Sequence, residues 1–196
     1  MSEKITDINQ LDFSKRYTYA DYLQWKFDER VELLRGFISR MSPAPSFRHQ
    51  KVTTRLTTEI DYFFKNKKCD VLAAPFDVRL PQKDKKNEKS VTVVQPDICV
   101  VCDVKKIDSQ GCNGAPDLMV EVLSPGNTKK EMKHKYELYE ESGVKEYWLV
   151  HPQDNNVMVF VLGENEKFQI HKIYTEDDTL ESPTLKGFRL KLSEIF

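Results

Sequence analysis

Two carboxylates stand where charge is costly. Glu121 lies in DLMVEVLS and Asp97 lies in QPDICVVC, both apolar and strand-like. Alternation along a strand sends neighbouring side chains to opposite faces. Glu121 therefore shares a face with Met119 and Leu123, while Val120 and Val122 point the other way. Both faces around it are apolar. Asp97 is bracketed by Ile98, Cys99, Val100 and Val101 in the same manner. An ionised carboxylate in such surroundings must be paired, hydrogen-bonded or bound to a cation. Two of them at neighbouring strand ends suit a hard oxygen site of the magnesium type. The plainer alternative is that each acid ends a strand and reaches water.

A lysine sharpens the choice. Residues 128–142 have helical spacing, ended by Gly143 at a C-cap position. The apolar stripe of that helix runs through Met132, Leu138 and Tyr139. Lys135 falls three residues after Met132 and four before Tyr139, in the centre of the face that must pack on the sheet. An ammonium there needs an anion, and the two acids supply one. Its alternative is to snorkel along its stem to a wet edge. Lys129, Lys130 and Lys133 are better placed for solvent or phosphate. Glu32, in the apolar run VELL, is a further candidate acid; its alternative is an exposed hairpin position.

The elements that must carry these residues are legible in outline. Thr18 with Asp21 forms a capping pattern before YADYLQWK, a short amphipathic helix. VELLRGFISRM reads as a hairpin split at Gly36 and ended by Pro43 and Pro45. From Phe47 to Lys67, Val52, Leu56, Ile60, Phe63 and Phe64 recur at spacings of three and four. His49 shares that stripe. VLAAPFDVRL is extended, and PQKDKKNEKS is a charged connector. VTVVQPDICVVC is β-rich, SQGCNGAP is a loop, and DLMVEVLSP is a buried strand closed by Pro125. KEYWLVHP and VMVFVL are strands with Asn155 and Asn156 at the turn between them, followed by the strand FQIHKIYT. The tail from Leu185 to Phe196 is a short strand and a last turn. This order predicts a mixed α/β architecture, with one twisted sheet flanked by helices.

Composition narrows the classes. The chain has 196 residues, 39% hydrophobic and 31% charged, with a net charge of −1. That length predicts one domain and can bury a core. A near-neutral balance excludes a general basic coat for nucleic acid, so any such contact is local. The charges from Lys83 to Lys89 read as a solvated loop. No apolar run approaches the roughly 18 residues needed to span a membrane, and MSEKITDINQ lacks a secretory core, so the expected location is the cytoplasm. Cys99 and Cys102 have CxxC spacing, but no second pair completes a zinc site. The four cysteines are read without a zinc or disulfide role.

The same residues, in order, resemble the Uma2 family within the PD-(D/E)xK nuclease superfamily. The resemblance runs from about Tyr17 to Phe196, leaving 1–16 as a tail before a single nuclease-like domain at 17–196. It rests on VELLRGFISRMSPAPS, RHQ, APFDVRL, QPDICVV, GAPDLMVEVLSP, KYELYEESGVKEYWLVHP and the closing LSEIF. It implies a restriction-endonuclease-like mixed sheet with an N-terminal helix and hairpin. Pro96 and Asp97 match the family's PD, and Glu121 its second acid. The superfamily places a lysine two residues further on, where this chain has Leu123. In Uma2-like chains the following helix supplies it, matching Lys135, and Glu32 matches an N-terminal acid. Glu131 and His151 stand where the family often has Asp.

The resemblance implies metal-dependent hydrolysis of DNA phosphodiesters. Asp97, Glu121 and a backbone carbonyl near Leu123 would hold Mg²⁺, with Mn²⁺ as a substitute. Lys135 and Glu32 would complete the catalytic set. His49, Lys129 and Lys133 would meet the substrate. A homodimer is the expected assembly. The alternative is a catalytically silent nuclease fold acting as a nucleic-acid-binding or accessory protein.

Overall fold

The computed structural model describes residues 4–41, 45–80, 91–126 and 129–196. The charged connector at 81–90, Pro43 and Thr128 lie outside the described residues. The expected capping box is present. Thr18 Oγ1 accepts from the Asp21 N–H, and the Asp21 carboxylate accepts from the Thr18 N–H at 2.7 Å. The helix it starts, α1, is only Tyr19–Tyr22. The chain turns at once, setting Trp25 edge-on to Tyr17 and tilted against Tyr22.

The hairpin forms as its sequence predicts. Strands β1 (Val31–Leu34) and β2 (Phe37–Arg40) are antiparallel. Arg35 and Gly36 between them have φ of 54° and 89°, the two positive values that a tight hairpin turn requires. Helix α2 (Phe47–Phe64) follows, capped by Ser46, whose Oγ accepts the His49 N–H at 3.2 Å.

The remaining strands are β3 (Asp70–Ala73), β4 (Val78–Arg79), β5 (Val93–Val94), β6 (Ile98–Val101), β7 (Ile107–Asp108), β8 (Gly111–Asn113) and β9 (Leu118–Val122). After helix α3 (Lys129–Ser142) come β10 (Glu146–His151), β11 (Asn156–Leu162), β12 (Phe168–Thr175), β13 (Thr179–Glu181) and β14 (Arg189–Lys191).

The single expected sheet is corrected. There are two six-stranded sheets, ordered β2-β1-β5-β4-β8-β7 and β12-β11-β10-β9-β6-β3, and a β13-β14 ribbon. VTVVQPDICVV divides at Pro96, sending β5 into the first sheet and β6 into the second. VLAAPFDVRL divides likewise, into β3 and β4. The segment read as a loop, SQGCNGAP, contributes β8, which pairs in parallel with β4. A two-residue strand has too little pattern of its own to announce its partner.

The second sheet positions the chemistry. Its β9 and β10 run parallel, with α3 as the crossover a parallel pair needs. On one face Val120, Val122, Trp148 and Val150 pack with Val52, Leu56 and Ile60 of α2. On the other, Met119 and Tyr147 pack with Leu138 and Tyr139 of α3. Strand β9 is thus buried on both sides, as its unbroken apolar run requires. A third cluster joins Ile8, Leu11, Tyr19 and Trp25 to Val31, Leu33 and Val93.

The cysteine expectation is also corrected. Asp70 pairs with Val101 across β3 and β6. Cys69 and Cys102 flank that pair and are joined as a disulfide, 33 residues apart in sequence. Cys99 and Cys112 are free and buried.

Candidate active site

Five elements converge on one cavity of about 450 Å³. Its lining includes Glu32, His49, Asp97, Glu121 and Lys135. Strand β1 brings Glu32, α2 brings His49, the residue before β6 is Asp97, β9 brings Glu121, and α3 brings Lys135.

Glu121 sits in the middle of the second sheet, opposite Leu149 of β10. Its parity is the one read from the sequence, since Val120 and Val122 enter the other core. Two groups meet at its carboxylate. The Lys135 ammonium lies 3.0 Å from Glu121 Oε1 and 3.1 Å from Glu32 Oε1. The Tyr139 hydroxyl donates to Glu121 Oε1 at 2.5 Å. Burial pushes the Glu121 carboxyl up to about 7; Lys135 opposes that shift, and Asp97 and Glu32 add to it. Burial works against the Lys135 ammonium too, but Glu121 and Glu32 outweigh it and hold its pKa above the ordinary lysine range.

Asp97 is less buried than its apolar neighbours predict. It precedes β6, and its side chain is 20% exposed. The carboxylate is fixed from both sides. Oδ2 accepts the Val122 N–H at 2.8 Å, and Oδ1 lies 3.3 Å from His49 Nε2. His49 Nδ1 in turn lies 3.4 Å from Thr53 Oγ1. Glu32 Oε1 accepts the Gln95 N–H at 2.9 Å. The Gln95 side chain carries the network outward, accepting from Arg30 at 2.7 Å and donating to Asp77 at 2.8 Å.

The structure therefore brings together Asp97, Glu121, Lys135, Glu32 and His49. It does not bring Lys129 or Lys133 to the cavity. Both are exposed, and Lys133 faces Glu137 at 3.8 Å. Leu123 is not in the lining, although Val122 and Ser124 on either side of it are. Tyr139, Arg30 and Gln95 were missed as site residues. Tyr139 could have been found, because it lies one turn beyond Lys135 on the same helix face. Glu131 also lines the cavity. His151 ends β10, its pKa pushed down by burial, with Nε2 lacking a hydrogen-bond partner among the described residues.

This donor set fits a magnesium-type ion. Asp97 and Glu121 present carboxylate oxygens, the hard ligands such an ion takes, while Glu32 Oε1 is engaged by Lys135 and the Gln95 N–H. A buried carboxyl held up near 7 is one that a cation would help to ionise. Among the described residues no three His, Cys, Asp or Glu side chains form a ready-made cage. Mg²⁺ does not need one, since it commonly uses one or two carboxylates with waters and substrate phosphate.

The family model for Uma2, described as "Putative restriction endonuclease", matches residues 19–193. This chain belongs to the Uma2 family. A solved structure described as a "putative nuclease belonging to DUF820", from Anabaena variabilis, shares the fold at a TM-score of 0.71. The two are 17% identical, and the likeness covers 92% of this chain and 97% of that one. No curated protein matches the chain. The α/β nuclease-like fold implied by the sequence is thus the one found. Asp97 lines the cavity from the residue before β6, Glu121 from β9 and Lys135 from α3. Among the described residues no helix is long and apolar enough to cross a membrane.

Proposed function

We propose that this Uma2 chain is a metal-dependent endonuclease that hydrolyses DNA phosphodiester bonds. The carrying observation is the Lys135 ammonium wedged between Glu121 and Glu32 in a cavity that also holds Asp97. Asp97 and Glu121 would hold Mg²⁺, or Mn²⁺ in its place, with waters completing the shell. Bound there, the ion would lower the pKa of a water and offset charge on the phosphate.

The chain's own residues do the rest. The Tyr139 hydroxyl and Lys135 fix the Glu121 carboxylate, while the Val122 amide and His49 fix Asp97. Fixed donors need no reorganisation when charge develops, which is where such sites gain most. Lys135 keeps its proton beside its two acids and supplies positive charge toward the phosphate. Arg30, at the cavity wall, is placed to hold a phosphate oxygen, the role first expected of Lys129 and Lys133.

Asp97→Ala should abolish Mg²⁺-dependent cleavage of supercoiled plasmid while its circular dichroism spectrum stays that of the wild type. Undiminished cutting by this variant would overturn the reading. The silent-fold alternative predicts instead that the wild type neither cuts nor shifts its melting temperature with Mg²⁺ or Mn²⁺.

A further inference from the structure

A second groove opens from the catalytic cavity. It has about 460 Å³, shares Arg30, Pro45, His49 and Asp97 with the first, and runs between α2 and β3. Its helix wall is a single stripe: Gln50, Thr53, Thr54, Thr57, Thr58 and Asp61, spaced by threes and fours. Its other wall is Val71, Ala73 and Ala74, on and beside β3, the edge strand of the second sheet.

The chemistry of the stripe is specific. Thr57 Oγ1 donates to the Thr53 carbonyl at 2.8 Å, and Thr58 Oγ1 to the Thr54 carbonyl at 2.9 Å. Their protons are committed to the helix, so these hydroxyls offer only lone pairs to a ligand. Asp61 adds an anion at the far end. Such a wall repels phosphate and accepts from N–H groups. Nucleobase edges carry such amino donors. Helical phase adds an exposed ring on the same side of α2 as the stripe, outside the groove lining. Phe47, seven and eleven residues before Thr54 and Thr58, shares their side of the helix and is 85% exposed. Exposed rings of this kind stack bases without regard to sequence.

Resting on the nuclease reading of the adjoining cavity, we infer that this groove binds an unpaired stretch of DNA flanking the scissile phosphate. Its bases turn toward α2 and its phosphates toward water. From His49 to Asp61 the stripe runs about 18 Å at 1.5 Å per residue, room for about five nucleotides at a stacked rise of ~3.4 Å. Helix α2 packs directly on β3, so the groove is the crease between them. In a duplex the amino groups of the Watson–Crick edges are engaged in pairing, so a blunt duplex offers this wall fewer donors than a single strand does.

The test is fluorescence anisotropy with the full-length protein in EDTA, using a labelled single-stranded oligonucleotide and a blunt duplex of the same sequence. Phe47→Ala and the double variant Thr57→Val with Thr58→Val should each weaken single-strand binding about tenfold. Blunt-duplex affinity should not move, and melting curves should show both variants folded. Wild-type single-strand affinity in both variants overturns the inference, as does an equal loss for both probes. Failure of the wild type to bind the single strand overturns it too. The nuclease reading fails separately, by continued cleavage in Asp97→Ala, whatever the anisotropy shows.

Discussion

Lys135 is the residue on which the site turns. Its ammonium is buried and touches two carboxylates that are themselves buried. Removing one partner of such a cluster leaves uncompensated charge, at a cost of about 3–5 kcal/mol. Lys135→Met should therefore lower the melting temperature by roughly 6–20 °C at this chain length. Adding Glu121→Gln to Lys135→Met should recover part of that loss, because it removes one of the charges left facing each other. A double-mutant cycle by thermal melting measures the coupling. Additive losses would mean that the two side chains do not share one charge cluster. The placement of Lys135 was legible because helical phase alone puts it on the sheet side. The Tyr139 bond to Glu121 was not. Phase gives a face, but it does not say which of two buried polar groups will meet a given oxygen.

At the scale of elements, the strands carrying chemistry were read more surely than the strands supporting them. DLMVEV is long enough to show burial on both faces, and β9 is found at Leu118–Val122. The first sheet is built from shorter pieces whose partners are set by contacts far apart in the chain. Gly111 shows what holds one such piece. Its φ is 123°, and a Cβ there would lie 2.1 Å from the Asp77 carbonyl oxygen. That carbonyl accepts the Cys112 N–H at 2.8 Å, locking β8 to β4. Asp77 also receives the Gln95 side chain, whose backbone N–H holds Glu32. Gly111→Ala should destabilise the fold by at least about 2 kcal/mol, from the backbone clash and the positive φ together. Denaturant unfolding checks this, and a wild-type midpoint would show that the β8 turn relaxes freely. The Cys69–Cys102 bond was hidden for the same reason as the first sheet. Only the β3–β6 register puts those two residues opposite each other.

At the scale of the whole molecule, the N-terminal segment is bound into the third apolar cluster. Ile8 and Leu11 are 2% and 6% exposed, and Ile5 bridges to Trp25. The same cluster contains Val31 and Leu33, which flank Glu32 on β1. The packing of the tail and the placement of a site carboxylate therefore depend on one core. Deleting residues 1–16 removes two fully packed side chains worth about 3–6 kcal/mol together. The truncated protein should melt roughly 6–20 °C lower. If Glu32 acts by holding the Lys135 ammonium, plasmid cleavage should fall as well, even at temperatures where the truncated chain remains folded. Lowered stability with full cleavage at low temperature would show that the tail staples the fold without positioning Glu32. An unchanged melting curve would show that the third cluster closes without the tail. The expected result, loss of both, ties the N-terminal segment, through Val31 and Leu33, to the acid that shares the Lys135 ammonium with Glu121.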